Sequence, residues 1–118
     1  MKFAAPFKMN KPESAITKVL GKAKYFGIYD DATNELEVIV NENTGGPAIF
    51  MELKAKGVEI VLTPHAGPGA VRASLELGID MYYCGDERKT LLEAVKEFQE
   101  GKYPLITPEN FDQFHGHN

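Results

Sequence analysis

Tryptophan is absent and cysteine occurs once, as Cys84. A lone cysteine cannot close an intramolecular disulfide, so packing has to hold the chain, and a reducing, cytoplasmic setting is expected. Long apolar runs are missing as well. Nothing approaches the ~20 residues that a membrane-crossing helix needs, and the start Met1 to Pro6 lacks the apolar stretch of a secretory signal. No membrane association is expected. Positive charge is scarce, with 13 Lys and Arg against 17 Asp and Glu and a net charge of −4. A net-acidic domain exerts no general pull on phosphate backbones, so no nucleic-acid partner is expected without a local basic patch. No Walker loop, Gly-x-Gly-x-x-Gly fingerprint or Ser/Cys nucleophile elbow is present, and paired carboxylates are not evident. What remains is ordinary: 118 residues, 43% hydrophobic and 25% charged, enough for one folded domain and not two.

Changes in apolar spacing mark the elements. Phe3 to Met9 reads as a strand made irregular by Pro6, which cannot donate to a ladder. Asn10 to Ser14 is a loop, and Ala15 to Leu20 predicts a short helical turn ending at Gly21. Tyr25–Tyr29 and Leu36–Val40 flank the turn residues Asp30 to Asn34, which predicts an antiparallel hairpin. The second half alternates. A helix begins near Pro47 and carries Ile49, Phe50 and Leu53 on one face, with Gly57 as its cap. Val58–Thr63 is the nearly continuous apolar run of a buried parallel strand. A helix over about Gly69–Leu77 follows, capped by Gly78, and then a strand over Ile79–Cys84. Thr90 and Glu93 form a capping box for a third helix with a Leu91, Val95, Phe98 stripe, closed by Gly101. The expected fold class is α/β: a mixed five-stranded sheet with helices on both faces, in the order β-β-β-α-β-α-β-α. Its domain spans residues 1–102, and 103–118 form a tail that drapes over the domain or frays.

In such a sheet, ligands gather beyond the carboxyl ends of the parallel strands. Thr63-Pro64-His65-Ala66-Gly67-Pro68-Gly69-Ala70 joins a strand to a helix there. Its glycines admit close backbone approach, the opening amides of the helix favour an anion, and His65 can ligate metal or donate a hydrogen bond. A tight turn with a bystander histidine is the plainer alternative. Cys84 ends the neighbouring strand at the same edge and could reach a soft metal or cluster with His65, or could be a small buried hydrophobe. Thr44-Gly45-Gly46-Pro47 offers a second amide cluster through Gly45 and Gly46, or a bare turn. Lys22, Lys24 and Arg72 are candidate anion-facing cations, otherwise solvated surface. His115-Gly116-His117 has the spacing of a terminal chelate or is a frayed end. Three meandering strands invite comparison with ribonuclease H-type nucleases, but the first strand offers no carboxylate for two metals, which argues against that activity.

Phe3-Ala4-Ala5-Pro6-Phe7-Lys8, Gly21-Lys22-Ala23-Lys24-Tyr25-Phe26-Gly27-Ile28-Tyr29 and Gly67-Pro68-Gly69-Ala70 stand in an order and spacing that resembles the dinitrogenase iron–molybdenum cofactor biosynthesis family. That family includes the NifX-like and NafY-like carriers and the carboxyl-terminal domain of NifB. The likeness runs from Phe3 to about Lys102. It implies a ribonuclease H-like fold without nuclease activity, no enzymatic role, and binding or carriage of an iron–sulfur or iron–molybdenum-type cluster for metallocofactor assembly proteins. Such a cluster brings its own sulfides and negative charge, so few protein ligands suffice. The expected set is His65 and Cys84 on metal, with Gly67, Pro68, Gly69, Gly45, Gly46 and Arg72 around the cofactor. Many relatives carry His before a Phe-Gly pair, where this chain has Val19-Leu20-Gly21. That departure motivates the rival reading, a metal-free regulatory or adaptor domain for a small anion or a protein. An enzyme acting on a phosphorylated small molecule rests on the glycine loops alone.

Overall fold

Strand-forming runs in the first half and strand–helix alternation in the second build one sheet from sequence-distant pieces. The computed structural model describes residues 1–43 and 46–114. The elements are β1 (Lys2–Phe7), β2 (Tyr25–Asp30), β3 (Glu35–Val40), α1 (Gly46–Ala55), β4 (Val58–Thr63), α2 (Pro68–Leu77), β5 (Asp80–Tyr83) and α3 (Leu91–Gln99), with a 3-10 turn at Phe111–Phe114. The sheet order is β3-β2-β1-β4-β5. β1–β2 and β2–β3 pair antiparallel, and β4 lies parallel to both β1 and β5. This is the mixed five-stranded α/β architecture expected from the sequence.

Alternate residues of the central strand feed two cores. Ala4 joins Ile49, Phe50 and Leu53 of α1 and Val71 of α2 on one face. Phe3, Ala5 and Phe7 join Leu91, Ala94 and Val95 of α3 on the other. Helices therefore cover both faces. No helix among the described residues is long and apolar enough to cross a membrane.

Two local expectations are corrected. Pro6 does not distort β1 against β2: it pairs with Phe26 in unbroken register, and the register shift lies at Lys2/Phe3 on the β4 side. The Asp31 N–H donates to Met1 O, so by the alternation of an antiparallel ladder Pro6 turns its nitrogen away from β2. On that side the pairing with β4 has already stopped at Ala4, so the missing donor costs nothing. Nor do Ala15 to Leu20 form a helical turn. Ala15 and Ile16 run extended, Lys8 N–H donating to Ala15 O (3.1 Å) and Thr17 N–H to Pro6 O (2.9 Å). Ile16 N–H also donates to Lys89 O (2.9 Å), so this segment fills the split between β1 and α3, and tertiary bonding overrides the local preference for a turn.

The capping box is present: Thr90 Oγ1 accepts from Glu93 N–H (3.3 Å) while Glu93 Oε1 accepts from Thr90 N–H (2.9 Å). Thr90→Ala strips one partner from the α3 terminus and is expected to lower unfolding free energy by about 1 kcal/mol, read from urea titration. Past α3, Tyr83 N–H donates to Pro104 O (3.0 Å) and Ile106 N–H to Met81 O (2.8 Å), so this segment closes the β5 edge. Phe114 stacks on Tyr83 with ring centroids 4.5 Å apart.

Candidate functional site

The chain leaves β4 through a turn that fixes His65. Fully buried Thr63 donates its Oγ1–H to His65 O (2.8 Å) and accepts from His65 N–H (3.3 Å). Two residues on, α2 starts with Gly67 as N-cap and Pro68 in its first turn, without a side-chain cap. Neither α1 nor α2 has an acidic residue in its first turn, whereas α3 is closed by Thr90 and Glu93. The positive ends of the α1 and α2 dipoles are therefore left without a carboxylate neighbour from their own helix. Both ends meet at one cavity of about 470 Å³, lined by Val19 to Lys22 after β1, Pro47 of α1, and His65, Gly67, Gly69 and Ala70.

The two glycines differ in purpose. A Cβ on Gly69 would lie 3.3 Å from Pro47 Cγ, so Gly69 lets the two helix starts approach. Gly67 has φ −88° and ψ 173°, an extended conformation open to any residue, and a Cβ there would meet nothing within 4 Å. Neither backbone nor packing requires glycine at 67. The missing side chain leaves room beside the N-terminus of α2, the space an anionic ligand needs to reach main-chain amides. Nδ1 of His65 is buried while the residue as a whole is partly exposed on the cavity wall.

The structure brings together His65, Gly67 and Gly69 with Lys22, one of the candidate cations. It parts others from them. Pro68 and Arg72 line a separate groove of about 350 Å³ with Val71, Leu75, Pro108 and Phe111. Gly46 opens α1, whereas Gly45 lies outside the described residues, as do His115 and His117. Cys84 does not share the His65 cavity. It packs with the α3-side core and lines a cavity of about 310 Å³ with Pro64, Lys8, Arg88 and Lys89. The Thr63–His65 turn is the partition, Pro64 belonging to one cavity and His65 to the other. A common strand edge was legible in the sequence; the face on which each side chain emerged was not. Sequence reasoning also missed Val19, Leu20 and Pro47 as wall residues, for which an apolar loop and a helix-starting proline give no specific signal.

Burial pushes the Cys84 thiol up to about 12, against the opposing pull of Lys89. Because the folded value exceeds the free-chain value of 9.0, the thiol's contribution to stability is complete below pH 9.0 and is lost as pH rises toward about 12. The same burial suppresses the thiolate, so iodoacetamide at mild alkaline pH is expected to label the native chain more than about tenfold slower than the urea-unfolded chain. Equal labelling rates would contradict the burial. Nearby, Lys89 Nζ donates to Glu97 Oε1 (3.1 Å) and Tyr103 Oη (3.3 Å), and the Tyr103 hydroxyl donates to Glu97. The Tyr103 and Lys89 hydrogen bonds hold the Glu97 carboxyl below its usual range. This cluster straps the segment after α3 to the helix and was not foreseen from the sequence.

Among the described residues no three or more His, Cys, Asp and Glu side chains converge as a metal-ion site. A bare cation would lack ligands in the His65 cavity. A preformed anionic group that needs one imidazole and several amide donors fits what is there.

A family model described as dinitrogenase iron-molybdenum cofactor matches residues 1–101. Among solved structures, a NifB-like protein from Thermotoga is 28% identical with a TM-score of 0.75, covering 90% of this chain and 93% of that one. The apo form of the orange protein from Desulfovibrio gigas has a TM-score of 0.79 at 23% identity, covering 89% and 92%, a likeness of fold alone. No curated protein matches the chain significantly.

Proposed function

The chain belongs to the dinitrogenase iron–molybdenum cofactor family, and from that premise we propose that it is a non-enzymatic carrier of an anionic iron- or molybdenum-containing sulfur cluster, held at the His65 cavity. The observation that carries this reading is the meeting of two helix N-termini, neither with a first-turn carboxylate, at a cavity where Gly67 leaves free space beside His65. Main-chain amides of α1 and α2 donate to the cluster's outer sulfides, and the Lys22 ammonium adds countercharge. His65, partly exposed on the cavity wall, supplies the one metal bond. The segment Val19-Leu20-Gly21, where many relatives carry a histidine, forms part of the same wall, so His65 is the imidazole this cavity offers. An open mouth and few ligands suit a cargo that is received from one assembly protein and released to another.

The test is anaerobic. The chain is mixed with tetrathiomolybdate, or with iron and sulfide, passed through a desalting column, and analysed for metal and visible absorption. Retained molybdenum or iron with a charge-transfer band supports carriage. Wild-type protein that retains neither metal, nor copper, would overturn it in favour of a metal-free adaptor.

A further inference from the structure

The two edges of the sheet are treated differently. Residues 104–106 close the β5 edge by backbone hydrogen bonds, whereas β3 is the last strand on its side among the described residues. Asn41 N–H donates to Lys24 O (2.7 Å), which makes that pair a hydrogen-bonded one. Alternation along the β2–β3 ladder then turns the N–H and C=O groups of Leu36, Val38 and Val40 outward. Val40 is 50% exposed there.

A cavity of about 390 Å³ lies beside this edge, at the opposite end of the sheet from His65. Asp30, Glu35 and Glu37 line it over the buried Ile28, while the Leu36 side chain packs on the α3-side face of the sheet. Lys2 also lines it, its ammonium donating to Lys56 O (2.9 Å) just past the end of α1, so one cation stands against three carboxylates. Glutamates on an edge strand guard against self-pairing, and β3 (Glu-Leu-Glu-Val-Ile-Val) contains no cation to answer them in a second copy. They do not exclude every strand. Three carboxylates grouped around a hollow beside an open strand edge match an extended segment that carries a long cationic side chain.

We propose that β3 is a strand-addition site for an extended segment of a partner protein bearing Lys or Arg at alternate positions, one of which enters the Asp30–Glu35–Glu37 cavity. Main-chain bonds to Leu36, Val38 and Val40 supply the register, and the cavity selects charge. The site lies apart from the cargo cavity, so the partner can dock while cargo is held.

The probe is a short end-blocked peptide of alternating lysine and threonine, titrated into the ¹⁵N-labelled full chain. Amide shifts at Leu36, Val38 and Val40, peptide-to-β3 NOEs and weaker binding at higher salt are expected. Glu35→Lys with Glu37→Lys should weaken binding about tenfold; should that variant unfold, Glu35→Gln with Glu37→Gln reads the same contrast. Equal binding of a glutamate–threonine peptide, shifts centred elsewhere, or self-association through β3 on sedimentation would each overturn the proposal. Metal retention measured on the same variants is expected to match wild type, so failure here and failure of the carrier reading are told apart.

Discussion

Gly27→Val is expected to yield no folded protein, and Gly27→Ala to lose about 3 kcal/mol of unfolding free energy. A Cβ at Gly27 would stand 2.1 Å from Phe7 Cζ and 2.5 and 2.6 Å from the two neighbouring ring carbons. Phe7 is 1% exposed and packed in the α3-side core, so the ring has no open direction in which to swing. The backbone cannot give either, because Gly27 pairs with Ala5 on one side and Val38 on the other and a shift would disturb both ladders. An overpacking cost of this size is a large part of the roughly 5–15 kcal/mol that holds a domain together. Phe7→Leu should relieve the clash, so the double variant Phe7→Leu, Gly27→Ala is expected to be more stable than the sum of the single losses implies. Urea unfolding followed by circular dichroism reads all three. A Gly27→Ala loss below about 0.5 kcal/mol, the range of ordinary surface changes, would contradict the packing.

The second large effect falls on cargo and spares the fold. Gly67→Val places a side chain where a Cβ meets no neighbour within 4 Å, at an extended φ that valine accepts. Only a small cost at the helix cap is expected in stability, up to about 1 kcal/mol. Retained molybdenum or iron, by contrast, should fall at least about tenfold, since the side chain occupies the approach to the α2 amides; a tenfold loss needs only about 1.4 kcal/mol of binding. His65→Ala is expected to match that loss by removing the metal bond. Cys84→Ala, across the Thr63–His65 partition, is expected to retain cargo at the wild-type level. Metal analysis after desalting checks the three variants together. Loss in Cys84→Ala with retention in His65→Ala would move the site to the other cavity.

The fold was legible where periodicity and punctuation coincide. Val58–Thr63 reads as a buried strand because almost every side chain is apolar, and Thr90 with Glu93 announces its helix by two reciprocal hydrogen bonds. Ala15-Ile16 was not legible, because its extended form is set by Phe7, Lys89 and Thr90, which no local pattern reports. The same limit governs the site. Strand-end rules and glycine spacing pointed to His65, Gly67 and Gly69, all carried by one continuous loop. Pairing His65 with Cys84 required knowing on which face two different strands release their side chains. Cys84 emerges toward α3, and the turn at Pro64 stands between the two. Arg72 went astray for a related reason: the first turn of α2 presents one side to the His65 cavity and the other to the groove under Phe111.

Titration of ¹⁵N-labelled protein with tetrathiomolybdate, a diamagnetic molybdenum–sulfur anion, reads the location of cargo residue by residue. The expected result is a set of amide shifts confined to Gly21, Lys22, Ala48 and the His65–Ala70 loop, with the imidazole resonances of His65 moving in step. Shifts centred on Lys8 and Cys84 to Lys89, with the His65 ring unmoved, would contradict an anion seated between the two helix N-termini.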